Sequence, residues 1–411
     1  MAFLPLDTCL ACAGADIEKY LDLGKTPLAN SYHDGGADLP RYPLGLSVCR
    51  QCWHNQLTVA VTPSEMFSHY AYVSGTSPRL REYFRDFARQ TTAQTGSAGR
   101  VLDIGCNDGS QLNAFAELGW HTFGVDAAQN LAERCAEHKI ITGFFGVDAA
   151  RRLRDTFGTE TMDVLTAQNV FAHTAKIDDF LAGCRMLMSP RSRLLIQTSQ
   201  AMMFENNEFD TIYHEHISFF SVSSMAACAK RAGLLLTDVR IADIHGGSYV
   251  FTLMPDAPGA PQPSQAVADR LLAEKPRRER GFYARYAGGV GRTIADFDKA
   301  TNALRLEGRK LIGLGAAAKG ISFINVAGCR PDYIVDNNPL KCGLLSPGGN
   351  VAIVAPDKLR DEKSPVAFIA LAWNLLDEML GQINAIAPQL DYAVLRYFPR
   401  VVADKPARKL S

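Results

Sequence analysis

The chain has 411 residues, with 43 Lys and Arg balanced by 43 Asp and Glu. Hydrophobic residues at 47% and charged residues at 21% are globular proportions, which exclude a disordered chain and leave room for two or three domains of about 100–200 residues. Zero net charge gives no general attraction to nucleic acid or anionic membrane, and no apolar run reaches the roughly 18 residues of a membrane span. Met1–Leu10 lacks the basic and apolar regions of a secretory signal. The expectation is a cytoplasmic protein, monomer or homodimer, that acts on a small molecule and not on nucleic acid or membrane.

Residues 1–75 are rich in turn formers (Pro5, Pro27, Gly35-Gly36, Pro40, Pro43, Pro63), with short strands at Leu44–Val48 and Asn55–Val61. Cys9-x-x-Cys12 and Cys49-x-x-Cys52 are 36 residues apart. Four thiolates at about 2.3 Å satisfy tetrahedral Zn²⁺ and leave no open position, so the pairs predict structural zinc that helps a turn-rich module fold. His54 is a weaker alternative ligand. The six other cysteines are scattered and read as small buried apolar residues.

Apolar spacing predicts a helix over Pro78–Thr95, and strand and helix signals then alternate. They run through Arg100–Ile104, Gln111–Leu118, His121–Val125, a helix at Asn130–Lys139, Met162–Ala167, a helix at Ile177–Met188, and Ser192–Gln197. Such alternation argues a parallel sheet with crossover helices. Leu234–Met254 holds two β-rich runs flanking His245-Gly-Gly-Ser248, an antiparallel edge. Pro255–Gln265 reads as a boundary, followed by a polar helical stretch to about Arg305 and a second α/β alternation from Lys310.

Val101-Leu-Asp-Ile-Gly-Cys-Asn-Asp-Gly109 is a buried strand ending in Asp103 and a glycine turn at Gly105. It is neither G-x-G-x-x-G nor a P-loop. Asp126 closes the next strand, where an acid suits ribose hydroxyls at the carboxyl edge of a parallel sheet. On these residues the sequence resembles class I S-adenosylmethionine (SAM)-dependent methyltransferases. The resemblance implies Asp103, Gly105 and Asn107 in the cofactor loop, Asp126 at the ribose, Phe145-Gly146 near adenine, and Gln168-Asn169 at the end of the fourth strand. Phe209-Asp-Thr-Ile-Tyr-His-Glu-His-Ile-Ser-Phe-Phe-Ser221 narrows it, together with Tyr70–Ser77, His245–Ser248, Gly315–Gly320 and Asp336–Lys341. The chain then resembles, over nearly its whole length, the C-methyltransferases of nucleotide-linked keto-deoxysugars. That implies an α/β protein with a small N-terminal zinc-binding module (1–75), a class I, Rossmann-like methyltransferase domain (76–256) and a second, C-terminal Rossmann-like α/β domain (257–411) that binds the sugar nucleotide.

Carbon methylation next to a ketone needs a base for the α-proton and donors for the enolate oxygen. Tyr213, His214, Glu215 and His216 supply candidates. If the segment is extended, His214 projects away from Tyr213 and Glu215, and that alternation does not choose between the histidines. The resemblance implies His216 as base, Tyr213 and Glu215 in the site, His214 as structural, and Tyr72 and His173 facing the substrate. It also implies Gly247, Ser248, Lys319 and Lys341 on the substrate side, the two lysines meeting the diphosphate. Gln197-Thr-Ser-Gln200, the proline-free Gly315–Gly320 and Ser74-Gly-Thr-Ser77 depart from the family pattern, which leaves the acceptor open. The alternatives are C- or O-methylation of another activated carbonyl metabolite and, from the Gly313, Gly315 and Gly320 pattern, an NAD-linked oxidoreductase.

Overall fold

The computed structural model describes residues 2–35, 38–67, 75, 77–132 and 135–404. In the N-terminal part, β1 (Phe3–Pro5) pairs with β5 (Val59–Val61), while β2 (Ile17–Thr26), β3 (Tyr42–Cys49) and β4 (Asn55–Leu57) form an antiparallel sheet. The large sheet follows: β6 (Arg100–Ile104), β7 (His121–Asp126), β8 (Lys139–Thr142), β9 (Met162–Gln168) and β10 (Met188–Thr198). Next comes β11 (Ser218–Phe219), which leaves this sheet and pairs with β4. Then β12 (Leu234–Ala242) and β13 (Ser248–Pro255) complete the seven-stranded order β12-β13-β10-β9-β6-β7-β8.

β8, β7, β6, β9 and β10 run parallel, and β13 is antiparallel to both of its neighbours. β6 and β9 are almost entirely buried, as apolar strands covered by helices on both faces must be. The helix Pro78–Thr95 begins at Ser77, whose side chain accepts from the Leu80 N–H, and ends at Gly96 in the left-handed conformation. Its inward face is Leu80, Phe84, Phe87, Ala88 and Thr91. The expected helix over Asn130–Lys139 is shorter: Gln129–Ala132 is helical, and Lys139 opens β8. There Ile140, Ile141 and Thr142, β-branched residues suited to a pleated surface, pair with β7.

The long helix Phe282–Leu306 leads to the second open sheet. It is built from β14 (Lys310–Leu314), β15 (Tyr333–Val335), β16 (Ile353–Val354), β17 (Val366–Ile369), β18 (Tyr392–Arg396) and β19 (Val402–Asp404). The order is β16-β15-β14-β17-β18-β19, parallel except for β19.

The cores do not follow chain order. Cys9, Ala11, Cys49 and Cys52 pack into the core of the seven-stranded sheet. Leu21, Leu44, Leu46 and Leu57 share one core with Phe209, Ile212 and Tyr213 and with Ile321, Phe323 and Leu395 of the second sheet domain. Leu46→Ala therefore removes packing from two parts of the chain at once. It should cost about 2–5 kcal/mol in denaturant unfolding, with amide exchange accelerated in β18 as well as in β3. Protection lost from β3 alone would show that the two parts do not share a core.

Candidate active site

The carboxyl edge of the seven-stranded sheet is where the glycine loop lies. Gly105, at φ 74°, donates its N–H to Val125 O at 2.7 Å. A side chain there would meet Val170 Cγ2 at 2.2 Å, so the turn needs glycine. Asp126 accepts the Asn107 N–H at 2.7 Å and the Ala128 N–H at 2.8 Å, which ties the ends of β6 and β7 together; burial raises its pKa. Asp103 points into the sheet, where Gln111 Nε2 (2.8 Å) and Thr166 Oγ1 (2.7 Å) donate to it. Burial pushes its pKa up to about 7 against those donors, and its reach is to the loop's foundation.

At the end of β9, both amide atoms of Gln168 and Oδ1 of Asn169 are buried and have no hydrogen-bond partner among the described residues. Buried polar atoms are normally paired. A cluster of open donors and acceptors beside the glycine loop fits a ligand with amino, carboxylate and hydroxyl groups, as SAM has. Phe145 packs edge-on against Phe180 at 5.0 Å, on the same side of the sheet.

The Tyr-His-Glu-His segment is not extended. Residues 209–216 form turns, with the Ile212 N–H bonded to Phe209 O and the His216 N–H to Tyr213 O. The turn puts residues three apart on one side: Tyr213 Oη lies 2.8 Å from His216 Nε2. His216 Nδ1 is 2.8 Å from Thr211 O and 3.2 Å from the hydroxyl of the same residue. A carbonyl only accepts, so Nδ1 carries the hydrogen, Nε2 carries the lone pair, and the Tyr213 hydroxyl donates to it. Burial, then the charges of His173 and Lys319, hold the His216 pKa well below its ordinary value, so the ring is neutral near pH 7. His173 stacks on it at 5.2 Å and is itself held down to about 4 by burial. Glu215 turns away and accepts from Asn30 Nδ2 at 2.6 Å. His214 points opposite, to Pro43 O at 3.2 Å and Tyr42. Tyr72 lies outside the described residues.

The second sheet domain closes the other side. Its glycine loop repeats the first one's construction: the Gly315 N–H donates to Val335 O at 2.8 Å, and the Ala316 N–H to Asp336 Oδ2 at 2.6 Å. Over this loop, however, the Tyr32 hydroxyl (2.6 Å) and Lys341 Nζ (2.7 Å) both donate to Ala316 O, and the ammonium sits 5.0 Å from the Tyr32 ring. Burial lowers the Lys341 pKa. Tyr32 and Lys341 thus fasten this loop through its Ala316 carbonyl.

Lys319 faces the first domain. Its Nζ donates to His245 O at 3.2 Å and lies 5.3 Å from the Trp373 ring. Gly246 is required beneath that ring, since a Cβ would come within 2.3 Å of it. Ser248 is fully buried, accepting from Gln197 Nε2 at 2.8 Å and donating to Ile244 O, and Gly247 O accepts from the Ala201 N–H. A cleft of about 440 Å³ adjoins Lys319, lined by Arg79, Asn206, Glu208, Trp373, Arg396 and Phe398.

At the N-terminal end, the Sγ atoms of Cys9, Cys12, Cys49 and Cys52 all lie within 4.8 Å of one another. Cys9–Cys52 and Cys12–Cys49 are each 3.5 Å apart, too long for disulfides. Tetrahedral zinc at about 2.3 Å places sulfurs roughly 3.8 Å apart, so the donor set fits the ion. His54 is turned away, at 3.2 Å from Ser218 Oγ.

Sequence reasoning missed Asn30, Tyr32, Ser322 and Trp373, and gave no role to Asp210 and His245 within the segments it singled out. Of the four missed, Trp373 carried a usable signal, its position just past the carboxyl end of a parallel strand. Asn30 and Tyr32 sit in a loop whose partners are 185 and 284 residues away.

A glycine loop, acid-clamped strands and open polar groups at the carboxyl edge of a seven-stranded sheet define a SAM-dependent methyltransferase with a zinc module. Three family models match the chain: a putative zinc binding domain over 9–67, a methyltransferase domain over 77–239 and a C-methyltransferase C-terminal domain over 243–391. C-methyltransferase NovU of Streptomyces niveus is 28% identical over 92% of both chains. A ubiquinone biosynthesis O-methyltransferase of Mesorhizobium japonicum is 32% identical over 30% of this chain and 52% of its own. A SAM-dependent methyltransferase structure from Archaeoglobus fulgidus aligns with 39% of this chain and 71% of its own, at 20% identity and TM-score 0.33. The chain belongs to the family of SAM-dependent C-methyltransferases that join these three domains, and its cofactors are SAM and zinc.

Two outcomes follow from the geometry. Elemental analysis should return one zinc per chain, and Cys12→Ser should lose it, with faster amide exchange in β4 and β11; full zinc content in that variant would place the ion elsewhere. His214 is buried with its pKa lowered from 6.5 to about 4. Its neutral form is favoured in the folded state, so the stability it contributes is complete above pH 6.5 and lost as the pH falls toward 4. The urea midpoint should drop over that window, and drop less in His214→Phe. Parallel pH curves for the two proteins would refute the assignment.

Proposed function

We propose that this enzyme transfers a methyl group to the carbon next to the ketone of an NDP-4-keto-deoxysugar, through an enolate formed with His216 as base. The observation that carries the reading is the fixed tautomer of His216. With Nδ1–H committed to Thr211 O, Nε2 holds the ring's lone pair in a buried setting; the Tyr213 hydroxyl donates to it here and turns to the ketone oxygen when the substrate's α-proton takes its place. The α-carbon's proton passes to Nε2, and its electron pair moves through the new C=C bond to the ketone oxygen. Tyr213, His173 and, outside the described residues, Tyr72 hold the sugar and the developing oxyanion. When bound, SAM supplies an electrophilic methyl on a sulfonium. Gly105, Asn107, Asp126, Gln168 and Asn169 position that group so that displacement is in line, a gain made by orientation. Glu215, turned away from His216 and bonded to Asn30, ties this segment to the zinc module.

The sugar-nucleotide class is supported by the family resemblance of the Tyr-His-Glu-His, His-Gly-Gly-Ser and Gly315–Gly320 segments; the cleft lined by Trp373 and Phe398 carries two arginines and three acids, Glu208, Asp377 and Glu378. Lys341 is engaged by the loop it covers, and Arg79 and Arg396 are paired with Asp243 and Asp404, so we place Lys319 nearest the diphosphate. We read residues 1–75, 76–256 and 257–411 as the three working units, in a cytoplasmic enzyme.

Incubation with SAM and a panel of sugar nucleotides and keto metabolites should give a gain of one methyl mass on a 4-keto sugar nucleotide. His216→Asn should lower turnover by at least about a hundredfold while SAM binding stays intact. Without SAM, the native enzyme should exchange the α-proton for solvent deuterium. Turnover in His216→Asn near that of the native enzyme would remove His216 as base.

A further inference from the structure

The acceptor of the His216 Nδ1–H, the carbonyl of Thr211, belongs to a stretch without helix or strand hydrogen bonding. Its direction is therefore set by what grips the residues on either side. Before it, Asp210 is fully buried and its Oδ2 accepts from Trp373 Nε1 at 2.7 Å and from the Tyr397 hydroxyl at 3.5 Å. After it, the Ile212 carbonyl accepts from Ser322 Oγ at 2.8 Å. Two residues earlier, the Tyr286 hydroxyl donates to Glu208 O at 2.6 Å. All four donors belong to residues 257–411, while the gripped segment lies in the chain of the methyltransferase domain. Phe209 is packed the same way, against Phe323 and Phe398.

We propose that the C-terminal domain aims the base: Asp210, held by Trp373 and Tyr397, and Ile212, held by Ser322, fix the carbonyl that selects the Nδ1–H tautomer of His216. Asp210 and Ser322 are thus positioning residues for a reaction they do not touch. The inference rests on the enolate reading above. Its physical content is simple. If the Thr211 carbonyl turns away, the imidazole hydrogen is free to reside on Nε2, and a ring protonated there has no lone pair facing the substrate. Small displacements of a reacting group carry large rate penalties.

The test compares Asp210→Ala, which removes the acceptor, with Asp210→Asn, which keeps an oxygen for Trp373 Nε1. Two readouts are used. The first is methyl transfer: Asp210→Ala should lower kcat by roughly ten- to a hundredfold, with KM for the sugar nucleotide and Kd for SAM within about twofold of the native values, and Asp210→Asn should recover most of the loss. The second is the ¹⁵N imidazole spectrum, with His216 assigned by difference against His216→Asn. The native protein should show the Nδ1–H tautomer, and Asp210→Ala a mixture. Should Asp210→Ala fail to fold, Ser322→Ala, a smaller excision, is measured by the same two readouts. An unchanged His216 tautomer in the folded variant, or a loss of kcat matched by an equal loss of SAM affinity, overturns the proposal. Absence of turnover by the native enzyme on every sugar nucleotide would count against the substrate reading instead, and the His216 tautomer would still decide this one.

Discussion

The structure depends on a segment that is gripped from both sides by parts of the chain other than its own. Residues 208–219 leave the seven-stranded sheet after β10 and return to it only through the helix Val222–Arg231. Between those points the second sheet domain holds Glu208, Asp210 and Ile212, as described above. The zinc module holds the other end. Ser218 and Phe219 add a fourth strand beside β4, the Leu57 N–H donates to Ile217 O, and His214 meets Pro43 O. Each of these buried hydrogen bonds contributes only about 1 kcal/mol net, but leaving any partner unmade costs more than making it gains. The segment therefore has a defined shape only when all three parts are assembled. This gives the zinc a role beyond its own loop: it braces the turns that carry β3 and β4, and β4 carries the far end of the catalytic segment.

The same enclosure sets the protonation states. His173, His214 and His216 are all pushed toward the neutral form by loss of water, and Lys319 adds a fixed positive charge that opposes protonation of His216. A depressed pKa makes the base weaker in water but keeps it unprotonated over the whole physiological range. In the enolate chemistry proposed above, it would also place the positive charge of the protonated ring next to the negative charge of the enolate as both form, in a low-dielectric site where that attraction is strong. The burial that disfavours an isolated imidazolium therefore works less against the ion pair.

Much of this architecture was legible in the sequence because it is local. The alternation of strand and helix signals, the Cys-x-x-Cys pairs, and the acids at Asp126 and Asp336 that end the second strand of each sheet all depend on neighbours a few residues away. The turn over 209–216 was not legible, and the reason is specific. Its sequence contains no Gly or Pro, and its conformation is imposed by long-range donors, Ser322 acting on the Ile212 carbonyl and Trp373 on the Asp210 carboxylate. An extended reading pairs Tyr213 with Glu215, whereas the real turn pairs Tyr213 with His216. The helix over-extended to Lys139 failed for a related reason, since Ile140 and Ile141 are β-branched and find a strand partner only in the assembled sheet.

The two sheet domains show how one construction is put to different ends. In both, a glycine after the first strand donates to the last apolar residue of the second, and the acid that follows clamps the loop through its backbone N–H groups. In the first domain the adjacent strand end presents Gln168 and Asn169 with open polar atoms, so the edge is prepared for a ligand. In the second, Tyr32 reaches in from the zinc module, and Lys341 folds over the loop to the same carbonyl. A half-buried ammonium set over a half-buried phenol is a costly occupant of a site unless it holds something together. What it holds is the junction where the zinc module, the second sheet domain and Glu215 meet, and Asp336 and Glu215 supply the negative charge that keeps the lysine protonated there. The loop of the second domain thus serves as an internal joint, while its opposite flank, with Lys319 and Trp373, faces His245 and the 208–219 segment.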